Sequence, residues 1–562
     1  MVFSNLLLPP FRSNLAARDW LSCRPAGHLL ILLKKHLVNT GLVFVVTFYS
    51  GIGGAEILPA NTAETQVSTV NNVPVVNIAR PTMSGVSKNQ FNDFDVDNAG
   101  VVLNNSRLDG TSKLAGELGA NTNFIDTSAN FILNEVVTTS TSDINGMTEI
   151  FGDDARYILS NPNGISCNGC GFIRTPTVPG DIGTSLSEVL FTTGTATLGN
   201  GNIPLAITVD TNSTAGIVIG PGGLDASHVD VTTLFTRWAQ IQGIIDAANQ
   251  LRLLAGTGTL EIENNVAPEN RKLTTSQPGD RAVNVAIDAT LTGAMNAGQI
   301  FIQATENGVG VTLDNDLIST TGDIEITAAG EIRYKNANAS GDIKVGTNKV
   351  GSDIIASGNS AAGGDLTWNL GGDGVLDAAG DIVLSADGVI GFICNDPICQ
   401  IVGESNLRFD ASSLQTDAVI STSTGRDIII NANLDTSADI ISGGHLAINA
   451  RDGDINIRGL LRAEQDIELY SVVDHQLILD GGVVSGGDLG ILGAGTYIHD
   501  DIGLFDIGGE WDINTFGLTN NATLSITEFK DRSLFVNQLD NKGLIQSNSS
   551  LELHVDERLS NN

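Results

Sequence analysis

The chain has 562 residues, with 64 acidic against 29 basic side chains, a formal charge of −35, abundant glycine and few aromatics. That balance argues against duplex DNA or an anionic membrane surface as a partner, because both require clustered cations. Length would allow roughly three or four ordinary domains, but the composition points to one elongated β architecture that its acidity keeps soluble and resistant to edge pairing.

In chain order, the first element is a targeting signal. Lys34-Lys35-His36 precedes an apolar run from Leu37 to Tyr49, and Ser50, Gly51, Gly53, Gly54 and Ala55 follow. This is the charged, apolar, small-residue order of a secretory signal, too short in its apolar part to span a bilayer comfortably. Cleavage is expected after Gly53-x-Ala55, with Ala60 as the alternative. Residues 1–55 therefore read as an extended signal peptide, or as a signal whose true start lies downstream of the long lead-in Met1–Leu33.

From about residue 60 to 310, short runs rich in Val, Ile, Thr and Asn are punctuated by turn residues, as in Val73-Pro74-Val75-Val76-Asn77-Ile78 and Val101-Val102-Leu103 after Asn98-Ala99-Gly100. Such punctuation indicates an all-β domain. The candidate exception is Leu234 to Leu254, where Leu234, Trp238, Ile241, Ile245, Ala248 and Leu251 approximate a helical repeat; a helix here competes with a reading as strands.

Within this span, Tyr157-Ile158-Leu159 runs into Asn161-Pro162-Asn163-Gly164-Ile165-Ser166-Cys167-Asn168-Gly169-Cys170-Gly171. Asn-Pro and Asn-Gly pairs mark a strand ending in a tightly specified surface turn. Of five cysteines, Cys23 would leave with the signal, and the others form two local pairs, Cys167/Cys170 and Cys394/Cys399. Local disulfides in an oxidising compartment are expected. A zinc cage would have to join pairs more than two hundred residues apart, and no thioredoxin-like βαβ context supports a redox site. No metal or cofactor is expected.

Near residue 320 a repeat begins. Gly-Asp-Ile or a variant occurs at Gly322-Asp323-Ile324, Gly341-Asp342-Ile343, Gly364-Asp365-Leu366, Gly380-Asp381-Ile382, Arg426-Asp427-Ile428, Gly453-Asp454-Ile455, Gln465-Asp466-Ile467 and Gly487-Asp488-Leu489. Each is followed by an alternating strand such as Ile324-Glu325-Ile326, with aliphatics on one face. A period of about twenty residues is the mark of a solenoid. One coil burying four or five aliphatics at about 1.5–3 kcal/mol each does not offset about 1.5 kcal/mol per ordered residue, so coils are stable only when stacked. The glycine is expected to permit a tight bend, and the aspartate to accept backbone hydrogen bonds at that corner. Leu518-Thr519-Asn520, Leu539-Asp540-Asn541 and Leu559-Ser560-Asn561 continue the pattern, and the last opens a unit that is not completed. A truncated or split gene, or a fragment, is the expectation.

No catalytic signature stands out. His228, His445, His475, His499 and His554 lack metalloprotease spacing, and neither a Gly-x-Ser-x-Gly elbow nor a phosphate loop occurs. Gly371-Gly372-Asp373-Gly374 is similar to a calcium-binding glycine repeat but occurs once.

Several segments together resemble the secretion domain of two-partner secretion exoproteins, the filamentous haemagglutinin and contact-dependent inhibition type. They are Val73–Ala79, Gly85–Asn89, Phe94–Val96, Gly100–Ser106, Ile132–Val136, Asn161–Thr175 and Gly223–Ser227. The resemblance implies a right-handed parallel β-helix, a pectin-lyase-like solenoid, with extra-helical β elements over 60–310. Residues 311–562 resemble the haemagglutinin repeats that follow it. It also implies export through the periplasm of a Gram-negative cell by an outer-membrane β-barrel transporter with POTRA domains, and display or release at the surface, where a host or neighbouring cell could supply a receptor. The family's Asn-Pro-Asn-Gly-Ile motif falls on Asn161, Pro162, Asn163, Gly164 and Ile165. Its Asn-Pro-Asn-Leu motif is absent, and Asn134-Glu135-Val136 matches the inhibition-type form, which leaves the subfamily open. The expected function is an adhesin-like exoprotein and not an enzyme. The alternatives are a truncated carrier of a contact-dependent toxin and a β-helix polysaccharide lyase or glycosidase.

Overall fold

Alternating aliphatic and polar residues in runs of three to ten, separated by glycine- and asparagine-rich corners, dictate short strands whose buried side chains all point one way. The computed structural model describes residues 56–561 apart from breaks at 201–203, 263–266, 269–270, 272, 275–284, 290–292, 348–351, 371–374, 379–381, 395–398, 451, 499–504, 527–531 and 548–549. The signal expected at 1–55 and the glycine stretch 371–374 lie outside the described residues. Among the described residues every regular element of any length is a strand.

The strands wind into coils with three sides, each side hydrogen-bonded in parallel to its counterpart one coil away. One side runs through Phe131–Val136, Arg156–Ser160, Leu186–Thr192, Val229–Thr236, Gln250–Ala255, Gln299–Ala304 and Ile324–Ala328. A second runs through Val101–Asn105, Met147–Gly152, Cys170–Thr175, Leu224–Ala226 and Ile245–Ala247. The third runs through Ser142–Ile144, Ile165–Cys167, Ile217–Ile219, Ala239–Ile241 and Val285–Ala289. This is a parallel β-solenoid, and the same winding continues into the repeats. There, long strands such as Leu407–Thr416 serve two sides.

Inside, alternation delivers one continuous aliphatic core: in Ile324–Ala328, Ile324, Ile326 and Ala328 are buried while Glu325 and Thr327 face outward. Trp368 stacks on Phe392 at 4.9 Å, and its indole N–H donates to the Tyr334 hydroxyl at 3.1 Å. At the far end, Asn520 donates to Asn541 and Asn541 to Asn561, both at 2.7 Å, so the Leu-x-Asn repeats form an amide ladder.

The Gly-Asp corners work differently from the expectation. Gly380-Asp381 lies outside the described residues; among the described corners the aspartate accepts a backbone N–H from the next coil and not from its own corner: Asp323 Oδ1 from Asp342 at 2.8 Å, Asp342 from Asp365 at 2.9 Å, Asp365 from Val389 at 2.8 Å, Asp466 from Asp488 at 2.8 Å and Asp488 from Glu510 at 2.7 Å. The glycines are not there for backbone freedom, since Gly341, Gly364, Gly388, Gly487 and Gly509 have no positive φ. A Cβ on any of them would collide with the carboxylate Oδ1 of the preceding coil's aspartate. Glycine and aspartate are thus two halves of one contact between coils.

Residues 234–254 form no helix. Leu234, Ile241, Ile245 and Leu251 lie on four successive strands, Val229–Thr236, Ala239–Ile241, Ile245–Ala247 and Gln250–Ala255. Inward positions on three-residue strands joined by tight corners recur at three- to seven-residue intervals, which imitates a helical stripe. Trp238 sits outside, its indole against Gly216 and its N–H donating to Thr214 O at 3.0 Å.

Outside the coils, Thr195–Leu198, Pro204–Val209, Gly258–Glu261 and Leu273–Thr274 form an antiparallel sheet. Its Ile207, Val209 and Leu260 cover outward apolar side chains of the first side, including Leu133, Ile158, Leu190 and Leu254. A hairpin, Gly110–Ser112 with Gly116–Leu118, covers Val102 and Phe151. At the N-terminal end, Ile57–Pro59 pairs antiparallel with Val86–Phe94, and Gln66–Val70 with Val73–Asn77.

Two expectations follow from these contacts. Asp342→Ala should lower the stability of the full chain by about 1.5–3 kcal/mol, the usual worth of a hydrogen bond to a charged group, and Asp342→Asn by less, read as urea-unfolding midpoints. Burial pushes the Asp95 carboxyl up to about 6, with Asp93 and Asp143 adding to the rise, although the Asp143 N–H donates to it at 2.8 Å. A carboxyl raised on folding favours the folded state at low pH, and that contribution is lost as pH rises from the ordinary carboxylate range through about 6. Protection of residues 56–96 against proteolysis should therefore be weaker at pH 7.5 than at pH 5, and Asp95→Asn should flatten the difference.

Candidate functional site

The Asn-Pro-Asn-Gly turn forms the corner between Arg156–Ser160 and Ile165–Cys167. Asn161 has no solvent exposure. Its amide donates to Ser140 O and Ser142 Oγ, both at 3.0 Å, and its Oδ1 accepts the Asn163 backbone N–H and side-chain amide, both at 3.0 Å. Every polar atom of the side chain is thereby used, which is how a buried amide avoids a desolvation penalty. The Asn161 N–H reaches Thr192 O on the following coil at 2.9 Å.

Asn163, half-buried, donates to Thr138 O at 2.8 Å. Pro162 is exposed and presets φ for the turn. Gly164 sits at φ +125°, closing the turn with its N–H on Asn161 O at 3.1 Å; only glycine adopts this backbone cheaply. Ile165 plugs the aliphatic core.

Asn134, Glu135 and Val136 lie on the coil before, in register with this corner: Asn134 pairs with Leu159 and Glu135 with Ser160. The loop leaving Val136 supplies Thr138 O and Ser140 O to the turn, so the structure brings the two segments together across one coil spacing. Their side chains point to different places. Glu135 faces outward and pairs with Lys88 at 3.0 Å. Val136 is buried. Asn134 is fully buried inside the coil, its Nδ2 at 3.5 Å from the Tyr157 hydroxyl and its Oδ1 without a partner. Burial raises the pKa of the Tyr157 phenol well above its ordinary value, and the Asn134 hydrogen bond offsets this only partly.

One corner further on, Cys167 and Cys170 are joined by a disulfide across the exposed Asn168-Gly169 turn. Asn168 Oδ1 accepts the Gly222 N–H at 2.7 Å, and the Gly169 N–H reaches Gly223 O at 3.0 Å, so this corner too is locked to the next coil. Cys399 is buried, and the side chain of Cys394 lies outside the described residues. Among the described residues no three His, Cys, Asp or Glu side chains gather as a metal site.

Sequence reasoning missed the polar interior of these first coils. Asn89 accepts from Ala79 N at 2.8 Å and Thr65 Oγ1 at 2.9 Å, and Asn121 bridges Ile78 O at 3.0 Å and Asn104 O at 2.8 Å. It also missed the fully buried pairing of Arg271 with Glu188, which pins the extra-helical sheet. Partners tens of residues apart leave no local spacing to read.

The profile of the TPS secretion domain family matches residues 55–334. The 16S rRNA endonuclease CdiA of Enterobacter cloacae is 31% identical over 420 residues, covering 73% of this chain and 12% of that protein. The hemolysin of Serratia marcescens is 37% identical over 280 residues, covering 49% of this chain and 16% of that protein. The crystal structure of the filamentous hemagglutinin secretion domain is similar at 28% identity with a TM-score of 0.44, covering 60% of this chain and 99% of that one. The chain thus spans less than a fifth of the length of these two curated relatives.

The corner geometry sets an order of sensitivities. Asn161→Ala strands the Asn163 N–H and the Ser140 carbonyl and should cost about 1–3 kcal/mol; Pro162→Ala, exposed, should cost under about 1 kcal/mol. Urea denaturation of the full chain, followed by tryptic protection of residues 137–175, should rank them in that order.

Proposed function

Through residues 55–334 the chain belongs to the two-partner secretion domain family, and from that membership we propose that it is an exoprotein carried across the outer membrane by a dedicated β-barrel transporter and displayed or released at the cell surface. The match over residues 55–334 carries this reading. In it, residues 60–310 are the part the transporter handles and 311–562 extend the same winding as an adhesin-like stalk. POTRA domains of the transporter are the proposed first contact in the periplasm, and a receptor on a host or neighbouring cell the final one.

The nuclease named in the endonuclease relative's description is not proposed for these residues. Their side chains are spent on stacking coils: the carboxylates of Asp323, Asp342, Asp365, Asp466 and Asp488 hold backbone N–H groups. A second reading, the carrier portion of a contact-dependent inhibition protein, is favoured by the alignment with the CdiA proteins over as much as 73% of this chain.

Coil stacking supplies a direction for export. A coil emerging outside gains its ladder and its aspartate contacts by adding to the one before, and a folded coil does not return through a narrow pore. Co-expression of the full chain with its transporter, followed by immunoblots of culture supernatant, cell surface and periplasm, tests the proposal. The parent should be found outside the cell only when the transporter is present. Asn163→Ala, which unhooks the turn from Thr138, should lower the exported amount several-fold; transporter-independent release of the parent would contradict the reading.

A further inference from the structure

In the coils from Gln476 to Ser560, one strip of the outer sheet face carries no side chain at two successive coils. The ladder places Gln476, Gly495, Gly517, Gln538 and Arg558 in one column, and Ile478, Tyr497, Thr519, Asp540 and Ser560 in the next. A Cβ built on Gly495 or Gly517 meets nothing within 4 Å, and neither residue has a positive φ. Unlike the glycines at the Gly-Asp corners, these two are demanded by neither packing nor backbone conformation. Glycine inside a strand weakens it and often marks close approach by a ligand. Gly490 is equally open but stands singly between Glu468 and Asp512, whereas Gly495 and Gly517 are stacked and leave a trough.

The trough is a groove of about 650 Å³, within the range of small-ligand sites. Glutamines close it along the stack: with coils about 4.8 Å apart, Gln476 and Gln538 stand about 14 Å from each other across the two glycines. Half-buried Tyr497 forms a side wall, its hydroxyl fixed by the Asn521 amide, which donates to it at 2.8 Å. Asp480 and Asp540 also line the groove, and Oδ1 of each is shielded from solvent with no hydrogen-bond partner. Shielded carboxylate oxygens without donors cost the fold stability, and a ligand in the groove would supply the donors.

The two carboxylates want donors, the glutamines donate and accept, and the tyrosine offers an apolar ring face with a polar tip. We propose that this groove binds a short, linear, uncharged oligosaccharide laid along the solenoid axis, its hydroxyls donating to Asp480 and Asp540 and a ring face against Tyr497. A peptide finds no free backbone to pair with, because the strands of the floor are laddered on both sides. An anion would meet two carboxylates. The groove binds and does not cleave: the carboxylates lie three coils apart, about 14 Å, against the about 5–9.5 Å that separates a glycosidase's catalytic pair. The proposal deepens the surface reading by naming the chemistry of the receptor, and rests on that reading for where the sugar is met.

The test applies the full chain, refolded and purified, to an array of uncharged linear oligosaccharides cut from animal glycans and from bacterial surface polysaccharides. The parent should bind at least one linkage series, and should still bind it at about 0.5 M salt, where attraction between exposed charges is screened. Whether the bound series is animal or bacterial tells which cell supplies it. Gly517→Val sets a β-branched side chain in the trough, so the urea midpoint should rise while binding falls at least about tenfold. Gly495→Val is the second variant should Gly517→Val not fold. Asp480→Asn should weaken binding several-fold without lowering the urea midpoint, a split that a merely structural role would not produce. Binding to none of the series, binding lost at high salt, or binding undiminished in the folded glycine variants would overturn the proposal. None of these readings uses the transporter, so failure of binding leaves the export reading standing, and failure of export leaves the binding result standing.

Discussion

The contact on which the repeat region depends is a carboxylate of one coil accepting a backbone N–H of the next, at corners such as Asp342 to Asp365 and Asp466 to Asp488. Parallel ladders alone fix the spacing between coils but leave the corners, where strands end, with unpaired donors. The aspartate satisfies one such donor and sets the rotational register of the stack. It also explains why the residue before the donating N–H on the next coil is glycine, as at Gly341, Gly364, Gly388, Gly487 and Gly509, since the carboxylate occupies the place of a Cβ. One pairwise contact repeated along the chain thereby turns individually unstable coils into a stack whose stability grows with each neighbour.

The N-terminal coils solve the same problem with amides in place of carboxylates. Asn161 and Asn168 lock their corners to adjacent coils, the first from the inside and the second from the surface. The disulfide between Cys167 and Cys170 and the extra-helical sheet over Ile158 and Leu190 add further restraint. The region matched to the secretion domain family is thus pinned both at its corners and from outside the coils.

Much of this was legible in the residues. Strand alternation in Ile324-Glu325-Ile326, the recurrence of Gly-Asp-Ile and the Asn-Pro-Asn-Gly turn each report a local constraint, and local constraints leave a period or a motif. The role of the glycines was not legible, because a glycine excluded by a neighbouring coil's carboxylate looks the same in sequence as one needed for a bend. The stripe from Leu234 to Leu251 misled for a related reason: a three-sided coil of very short strands returns to the inside at intervals close to a helix's. The antiparallel sheet and the Arg271–Glu188 pair join segments too far apart to leave any spacing signal. Asn134 was legible as part of a segment but not as an under-satisfied interior amide.

Hydrogen exchange at the corner amides tests the central contact most directly. The N–H groups of Asp342, Asp365, Asp488 and Glu510 lie at part-exposed or exposed corners yet are each held by a carboxylate. The account predicts that in the folded full chain they exchange as slowly as the ladder amides of Ile324–Ala328 and speed up together when the coils unstack. Exchange at the rate of an open surface turn, with the flanking strands still protected, would contradict it.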